Sequence, residues 1–407
     1  MIKRTLEKQI INSISQWPVT LITGARQVGK TTVCLEIAKK FGYDYISLDA
    51  PKERSTAINS PENFLESHQT PLIIDEIQYA PNLFDEIEHR VNEKKRKTGE
   101  NKGMYVLTGS HAYNLMQNVT QSMAGRINII EMPPLSVNEI NGREEIPFSI
   151  DIKTITKRVK STKEDEIHST ILKGMFPALY DGENDIQRFY SNYVSTYLEK
   201  DVSLLINLKD KMRFLEFLTI LASYTGQELV YESISSSIGV SSVTIKNWIT
   251  ILETGHIIHL LRPYYDTSVV KRMVKHPKLY FWDTGLVCFL LGIEKTESLV
   301  NSVFKGRLVE TYAINEILKS HINNCKCTRA YYFRNVNGYE IDLVLCYDGI
   351  ANLIECKSGK EFGEHDARSF PKFVSQMYPE KRCCIVCNAE KLTYMTKDVA
   401  IVPLSSI

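Results

Sequence analysis

The sequence predicts a multi-domain α/β protein: an N-terminal parallel sheet with flanking helices, a helical connector and winged helix, and a second α/β domain at the C-terminus. Three observations predict it. Residues 24–32 read GARQVGKTT between an apolar, β-branched run and a stretch with helical spacing. Residues 231–249 hold two short amphipathic stretches around a glycine turn, and residues 340–357 alternate as a hairpin bearing Asp342, Glu355 and Lys357. A chain of 407 residues exceeds one compact core and suits two to four domains. With 43% hydrophobic and 24% charged residues it has the composition of a soluble globular protein. Its 49 basic and 48 acidic residues leave a net charge of +1, so any nucleic-acid contact must come from a local patch. The nine cysteines are odd in number and scattered, which suits reduced cytoplasmic thiols and no disulfide framework. The pair Cys384 and Cys387 has C-x-x-C spacing, but it lies in an apolar strand-like run without a second ligand pair, which argues against zinc. No apolar stretch approaches the roughly 18 residues of a membrane span. Met1-Ile2-Lys3-Arg4 leads into an amphipathic segment with no signal-peptide form. The expectation is a soluble cytoplasmic protein with no membrane contact.

The stretch GARQVGKTT matches G-x-x-x-x-G-K-[ST] at every fixed position. The run Val19-Thr20-Leu21-Ile22-Thr23 reads as a strand, and residues 31–40 read as a helix that stops before Gly42. Such a turn offers backbone N–H groups and a helix N-terminus to phosphate oxygens. Gly24, Ala25, Arg26, Gln27, Val28, Gly29, Lys30, Thr31 and Thr32 are therefore the candidate binding residues for ATP, with Mg²⁺ as the accompanying ion. Lys30 would reach the β/γ-phosphates and the Thr31 hydroxyl would bind Mg²⁺. The run Pro71-Leu72-Ile73-Ile74-Asp75-Glu76 has the form of a buried parallel strand ending in two acids, 45 residues after Lys30. Asp75 would complete the Mg²⁺ shell and Glu76 would orient or deprotonate the attacking water, with Gln78 as the alternative. Residues 104–110 form another apolar strand, which sets Ser110 where it could sense the γ-phosphate. Arg126 stands just before the strand Ile127-Asn128-Ile129-Ile130. It reads equally as a stabiliser of transition-state charge, in cis or in trans, and as a surface arginine.

The basic run Lys94-Lys95-Arg96-Lys97 reads as a helix end on a solvated face. From residue 165 to 211 apolar positions recur at helical spacing. Residues 231–249 then form a helix-turn-helix pattern with a serine-capped second helix. Ser242, Thr244, Lys246 and Asn247 are expected to face out, and Val243, Ile245, Trp248 and Leu252 to pack inward. Residues 257–278 could form a wing. The window 246–278 holds six Lys or Arg (Lys246, Arg262, Lys271, Arg272, Lys275 and Lys278) against Glu253 and Asp266, a local +4. This suits phosphate contact. A winged helix used for protein contacts is the other reading.

In the C-terminal hairpin, period-2 alternation sends Glu355 and Lys357 to one face and lets Asp342 lie beside them on the neighbouring strand. A hairpin that joins D with E-x-K resembles the metal site of PD-(D/E)XK nucleases. There, carboxylates hold Mg²⁺ and the lysine acts on the attacking water. Glu310, on a helical face with Ile314 and Ile317, is a further candidate ligand, because an acid on an apolar face is costly unless paired or metal-bound. Glu310, Asp342 and Glu355 are thus the metal candidates, and these three with Lys357 the catalytic ones. Salt bridges to Arg334 or Lys357 in a non-catalytic fold are the alternative.

In order and spacing the motifs resemble the prokaryotic AAA-like ATPases whose N-terminal P-loop domain precedes a C-terminal domain formerly of unknown function. The resemblance rests on GARQVGKTT, Leu48-Asp49, IIDEIQYAPNLF (73–84), LTGSHAYNLM (107–116) and SMAGR (122–126). Downstream it rests on KGMFPAL (173–179), YLEKDV (197–202), KRMVKHPKLYFWDTGL (271–286), GRLVET (306–311) and the E-x-D and E-x-K strands. Met123 stands where leucine is usual, and Met175-Phe176 replaces glycine-tyrosine. The resemblance implies an AAA-like ATPase domain over residues 1–145, a helical connector over 146–225, a winged helix over 226–290 and a restriction-endonuclease-like domain over 291–407. ATP, DNA and a further copy of the chain are the implied partners. The functions left open are an ATP-driven DNA-processing machine and a nucleotide-gated switch whose nuclease-like domain only recognises.

Overall fold

The computed structural model describes residues 2–110, 123–158, 164–182, 184–197, 211–265, 276–360 and 362–407. Two sheets organise it. The first holds five strands, β1 (Val19–Thr23), β2 (Asp44–Ser47), β3 (Leu72–Asp75), β4 (Tyr105–Gly109) and β5 (Ile127–Glu131). They are all parallel, in the order β2-β3-β4-β1-β5. The β1, β3 and β4 sequences are continuous apolar runs because helices cover both faces of the sheet. Ile22, Ile73, Val106 and Ile130 pack on one face with Leu6, Ile10 and Ile37. Leu21, Ile74 and Leu107 pack on the other with Phe64, Phe84 and Ile87.

The second sheet has nine strands: β6 (Gln227–Glu228), β7 (Ile258–Pro263), β8 (Lys278–Phe281), β9 (Arg329–Arg334), β10 (Glu340–Tyr347), β11 (Ile350–Cys356), β12 (Glu380–Cys387), β13 (Thr393–Thr396) and β14 (Val399–Pro403). Their order is β13-β14-β12-β11-β10-β9-β7-β8-β6. The strands β6, β7 and β8, which flank the helix-turn-helix, join the C-terminal strands through a short parallel pairing, Arg262↔Tyr331 and Pro263↔Tyr332. A single sheet thus runs through both parts.

The helix-turn-helix consists of helices Tyr231–Ile238 and Ser242–Thr254, with left-handed Gly239 between them and Ser241 capping the second through Thr244 N. Ile245, Trp248 and Leu252 are buried as expected, but Val243 is 67% exposed. The correction follows from helical spacing. The buried stripe runs 245, 248–249 and 252, and a residue two positions before Ile245 lies across the helix from it. Of the basic window, Lys246 and Arg262 are exposed, whereas Lys278 is buried, so it contributes nothing to a phosphate-contacting surface. Lys271, Arg272, Lys275 and Asp266 lie outside the described residues, as do residues 111–116 and 122 of the phosphate-domain motifs and residues 198–202 of YLEKDV.

The helix Lys305–Ile322 is buried along most of its length and bonds to the segment that follows β5. Lys319 Nζ donates to Leu135 O (2.9 Å) and to Glu316 (2.8 Å), and Glu316 accepts from Val137 N (2.8 Å). Ser320 accepts from Phe148 N, and His321 Nε2 donates to Phe148 O. Two motifs far apart in sequence also meet, with 108 positions between Met175 and Asp283. Asp283 accepts from Met175 N (2.6 Å), Leu286 N (2.7 Å) and the Tyr190 hydroxyl (2.6 Å). A Cβ on Gly174, whose φ is +77°, would fall 2.0 Å from that hydroxyl oxygen. Among the described residues no helix is long and apolar enough to cross a membrane.

Two histidines in this framework are held neutral. His259 is stacked on Tyr280 and hydrogen-bonded to Asn315 (2.9 Å), and burial pushes its pKa down to about 4. His321, between Phe148 O and the Thr328 hydroxyl, is likewise pushed down to about 4 by burial. The folded protein therefore binds fewer protons than the unfolded chain between about pH 4 and 6.5. This contribution to stability is complete above pH 6.5 and is lost as pH falls through about 4. In thermal unfolding from pH 6.5 toward 4, wild type should lose stability more steeply than His321→Gln. Parallel slopes would remove His321 from this account.

Candidate functional site

Strand β1 delivers the chain into the phosphate loop at Gly24. Its φ is +151°, and a Cβ there would lie 2.3 Å from Met132 O, so no other residue fits. Gln27 and Gly29 are left-handed, and the helix Lys30–Phe41 starts directly after Gly29. The positive end of that helix therefore faces the loop. Lys30 is buried, and its Nζ donates to Gly24 O (2.8 Å) and Ala25 O (2.7 Å), so the ammonium curls over the loop it is to serve.

The sheet order sets β3 two places from β1, across β4, which brings the C-terminal end of β3 beside the loop. Thr31 Oγ1 donates to Asp75 Oδ2 at 2.9 Å. The same oxygen accepts from the Tyr45 hydroxyl at 2.7 Å, and Asp75 Oδ1 accepts from Thr108 Oγ1. Burial, with Asp75 adding to it, pushes the Tyr45 phenol well up, so it remains a donor. Glu76 is left-handed at φ +60°, and its N–H donates to Thr108 Oγ1 (3.2 Å). Its carboxylate accepts from Gln78 Nε2, which also lies 3.4 Å from the buried Ser110 Oγ. Loop, Glu76 and Arg4 line a cavity of about 820 Å³, which Pro177, Ala178, Asp181 and Thr196 from outside the five-stranded sheet also line.

This donor set fits the nucleotide and ion that the sequence implied. Thr31 and Asp75 supply hard oxygens on adjoining elements, as Mg²⁺ requires. Lys30 and the helix N-terminus supply positive charge for phosphate.

Arg4 is a site residue that sequence reasoning missed. Only 5% exposed, it donates to Val28 O in the loop, to Pro133 O (2.7 Å) and to Glu139 (3.2 Å), which also accepts from Thr5 N. Its partners lie 24, 129 and 135 residues away, and no local pattern marks it.

Arg126 is elsewhere. The register pairs Val19 with Ile127 and Thr23 with Glu131, so Arg126 lies at the opposite end of the sheet from its own loop. The length of strand β1 separates the two levels, roughly 16 Å at about 3.3 Å per residue. Its guanidinium binds Asn92 (2.8 Å), Ala124 O (3.0 Å) and Glu88 (3.3 Å). The cis reading is therefore corrected: distance rules out a role in this chain's own loop.

The C-terminal residues do come together. The β10–β11 register Leu343↔Ile354, continued by one residue, sets Asp342 opposite Glu355 on one face. Asp342 Oδ2 accepts from Cys356 N (2.9 Å), Glu355 Oε1 accepts from Lys357 (2.9 Å), and Lys357 lies 3.5 Å from Asp366. Glu310 accepts from the Tyr280 hydroxyl (2.7 Å). Burial, then the nearby Asp342 charge, pushes Glu310 up to about 7 and Glu355 up to about 8.

The sequence had not placed Lys278 here. Its Nζ lies 2.5 Å from Glu340, 3.1 Å from Asp342 and 3.3 Å from Glu310. Burial alone would lower the Lys278 pKa. The surrounding charges, Glu310 foremost, more than reverse this and hold the ammonium charged. A cation of the chain itself thus stands among the acids to which the sequence reading assigned a divalent ion. With Lys278 standing among these acids, no three His, Cys, Asp or Glu side chains among the described residues are grouped to hold a metal.

Residues 16–141 match the family described as AAA domain. Residues 164–297 and 305–407 match two families, each described as a domain of unknown function (DUF8612 and DUF4143). Uncharacterized proteins of Mycobacterium bovis and Mycobacterium tuberculosis are each 24% identical over 349 residues, 85% of this chain and 72% of the relative. Among solved structures, a Walker-type ATPase of Pyrococcus abyssi aligns over 70% of this chain and 94% of its own, at 12% identity and TM-score 0.46. A RuvB point variant of Thermotoga maritima aligns over 64% and 90%, at 16% identity and TM-score 0.32. Residues 16–141 are thus similar to an AAA domain, and they carry the phosphate-loop geometry described above.

Proposed function

We propose that this protein is a Mg²⁺-dependent ATPase that works as a nucleotide-gated switch on DNA. The observation that carries the ATPase reading is the Thr31–Asp75 hydrogen bond, with Thr31 and Glu76 lining the cavity. Thr31 and Asp75 would hold Mg²⁺, which when bound would neutralise phosphate charge. Lys30 exchanges the Gly24 and Ala25 carbonyls for the β/γ-phosphate oxygens. Glu76, held by Gln78, orients the attacking water, and Ser110, 3.4 Å from Gln78 Nε2, would sense the γ-phosphate. The hydroxyls of Thr31, Tyr45 and Thr108 all donate to Asp75, which fixes the direction of its two oxygens. Arg126 would act only on a neighbouring copy's loop.

The DNA reading is supported by the second helix of the helix-turn-helix, which exposes Val243, Lys246 and Asn247 in its first turns. Those residue types suit a thymine methyl, a phosphate and an adenine edge. The same surface used for a protein partner is the competing reading. The C-terminal domain then serves recognition and not cleavage.

Three outcomes follow. Lys30→Ala should abolish binding of a fluorescent ATP analogue, and wild-type affinity would remove the loop from this role. Glu76→Gln should keep binding but slow turnover by ~10²-fold or more, since it preserves shape and removes basicity; normal turnover would pass the water to Gln78. Lys246→Ala should weaken duplex DNA binding and reduce the slope of log affinity against log salt by about 1. An unchanged slope would favour the protein-contact reading.

A further inference from the structure

The C-terminal pocket gathers its charges from three directions. Glu310 comes from the helix Lys305–Ile322, Asp342 and Glu340 from β10, and Glu355 from β11. The ammonium that meets them comes from β8, which belongs to the strands beside the helix-turn-helix. The Lys278 side chain is 3% exposed and reaches three carboxylates at once.

A fourfold acidic pocket of this kind takes up a cation from somewhere. We propose that Lys278 is its resident cation. The ammonium occupies the position a divalent ion would take, so the native protein loads no metal there, and removal of the ammonium converts the pocket into a divalent-cation site. Three observations carry this beyond acidity alone. The Lys278 contacts of 2.5–3.3 Å are hydrogen-bond distances, and the acids are spaced around a nitrogen. A Mg²⁺ ion would need oxygens at about 2.0–2.1 Å. An ammonium and a divalent ion cannot share one set of oxygens, since like charges a few ångströms apart in a buried site repel strongly. The remaining acid is already served, because Glu355 pairs with Lys357, which also reaches Asp366, and Glu340 has Arg334 at 3.6 Å. One oxygen, Glu355 Oε2, is buried without a hydrogen-bond partner, an acceptor that an entering ion could use.

The test uses the full-length, chelator-treated protein without nucleotide and Mn²⁺ as the probe, followed by paramagnetic resonance of free ion and by thermal unfolding. Wild type and Asp342→Asn should bind Mn²⁺ equally, and Mn²⁺ should leave the wild-type midpoint unchanged. Lys278→Met keeps the apolar stem and removes the charge. It should gain one Mn²⁺ site, be stabilised by the ion, and lose that site in the double variant with Asp342→Asn. Lys278→Arg should gain none. An Asp342-dependent Mn²⁺ site in wild type overturns the proposal, as does a folded Lys278→Met protein that binds no more Mn²⁺ than wild type. Where Lys278→Met does not fold, the comparison of wild type with Asp342→Asn decides: equal binding supports the proposal and unequal binding overturns it.

Discussion

Two buried charges, Lys319 and Glu316, tie the C-terminal helix to the segment after β5, and the phosphate loop depends on that tie. An ammonium out of contact with water must find partners within reach, and the cost of leaving one unpaired is several kcal/mol. Lys319 finds Leu135 O and Glu316, and Glu316 finds Val137 N. Those partners belong to the segment that leaves β5, just before Glu139. Glu139 in turn holds Arg4, which holds the carbonyl of Val28 in the phosphate loop. The loop is therefore not only a local turn. Its shape is fixed from outside by a buried guanidinium, and that guanidinium is fixed by a segment anchored on the C-terminal helix.

The same helix explains why the two candidate sites share a scaffold. Glu310 lies less than two turns before Glu316, on the side of the helix that meets β8 and β10. A single rigid element thus presents one acid to the C-terminal pocket and another to the ATPase domain. Asn315 between them donates to Phe281 O and Trp282 O and binds His259, which pins the end of β8 to the helix. Strand β8 is thus held at one end by these bonds and at the other by Lys278 among its acids.

What could be read from the sequence was what lies close together in the chain. The phosphate loop is one contiguous run whose residue types follow from turn geometry, and Asp75 announces itself as the acid ending a fully apolar strand. Period-2 alternation put Asp342 and Glu355 on one face, and the register has them opposite each other. The residues that escaped act over long separations. Arg4 meets Glu139 across 135 positions, and Lys278 meets Asp342 across 64. Lys278 was misread because its neighbours in sequence are basic, which made it look like part of a solvated patch. Its burial comes from strand pairing of β8 with β6 and β7, which composition does not encode. Val243 failed for the opposite reason: it is apolar, but the phase of the buried stripe excludes it.

Why a protein would supply its own cation to an acidic pocket follows from where the charges come from. A metal ion organises acids only when the ion is present and the acids are deprotonated, so the fold around it depends on supply and pH. An ammonium carried on a strand is always there once the strand is paired, and its ordering cost is met by the packing of β8. Burial, with the Asp342 charge adding to it, raises Glu310 and Glu355 toward the protonated form, and the Lys278 ammonium works against that rise. With Lys278 charged and in place, Glu310 and Asp342 each have a fixed partner. The pocket's geometry then rests on covalent connectivity through β8, and the strands flanking the helix-turn-helix become part of what holds the C-terminal sheet together.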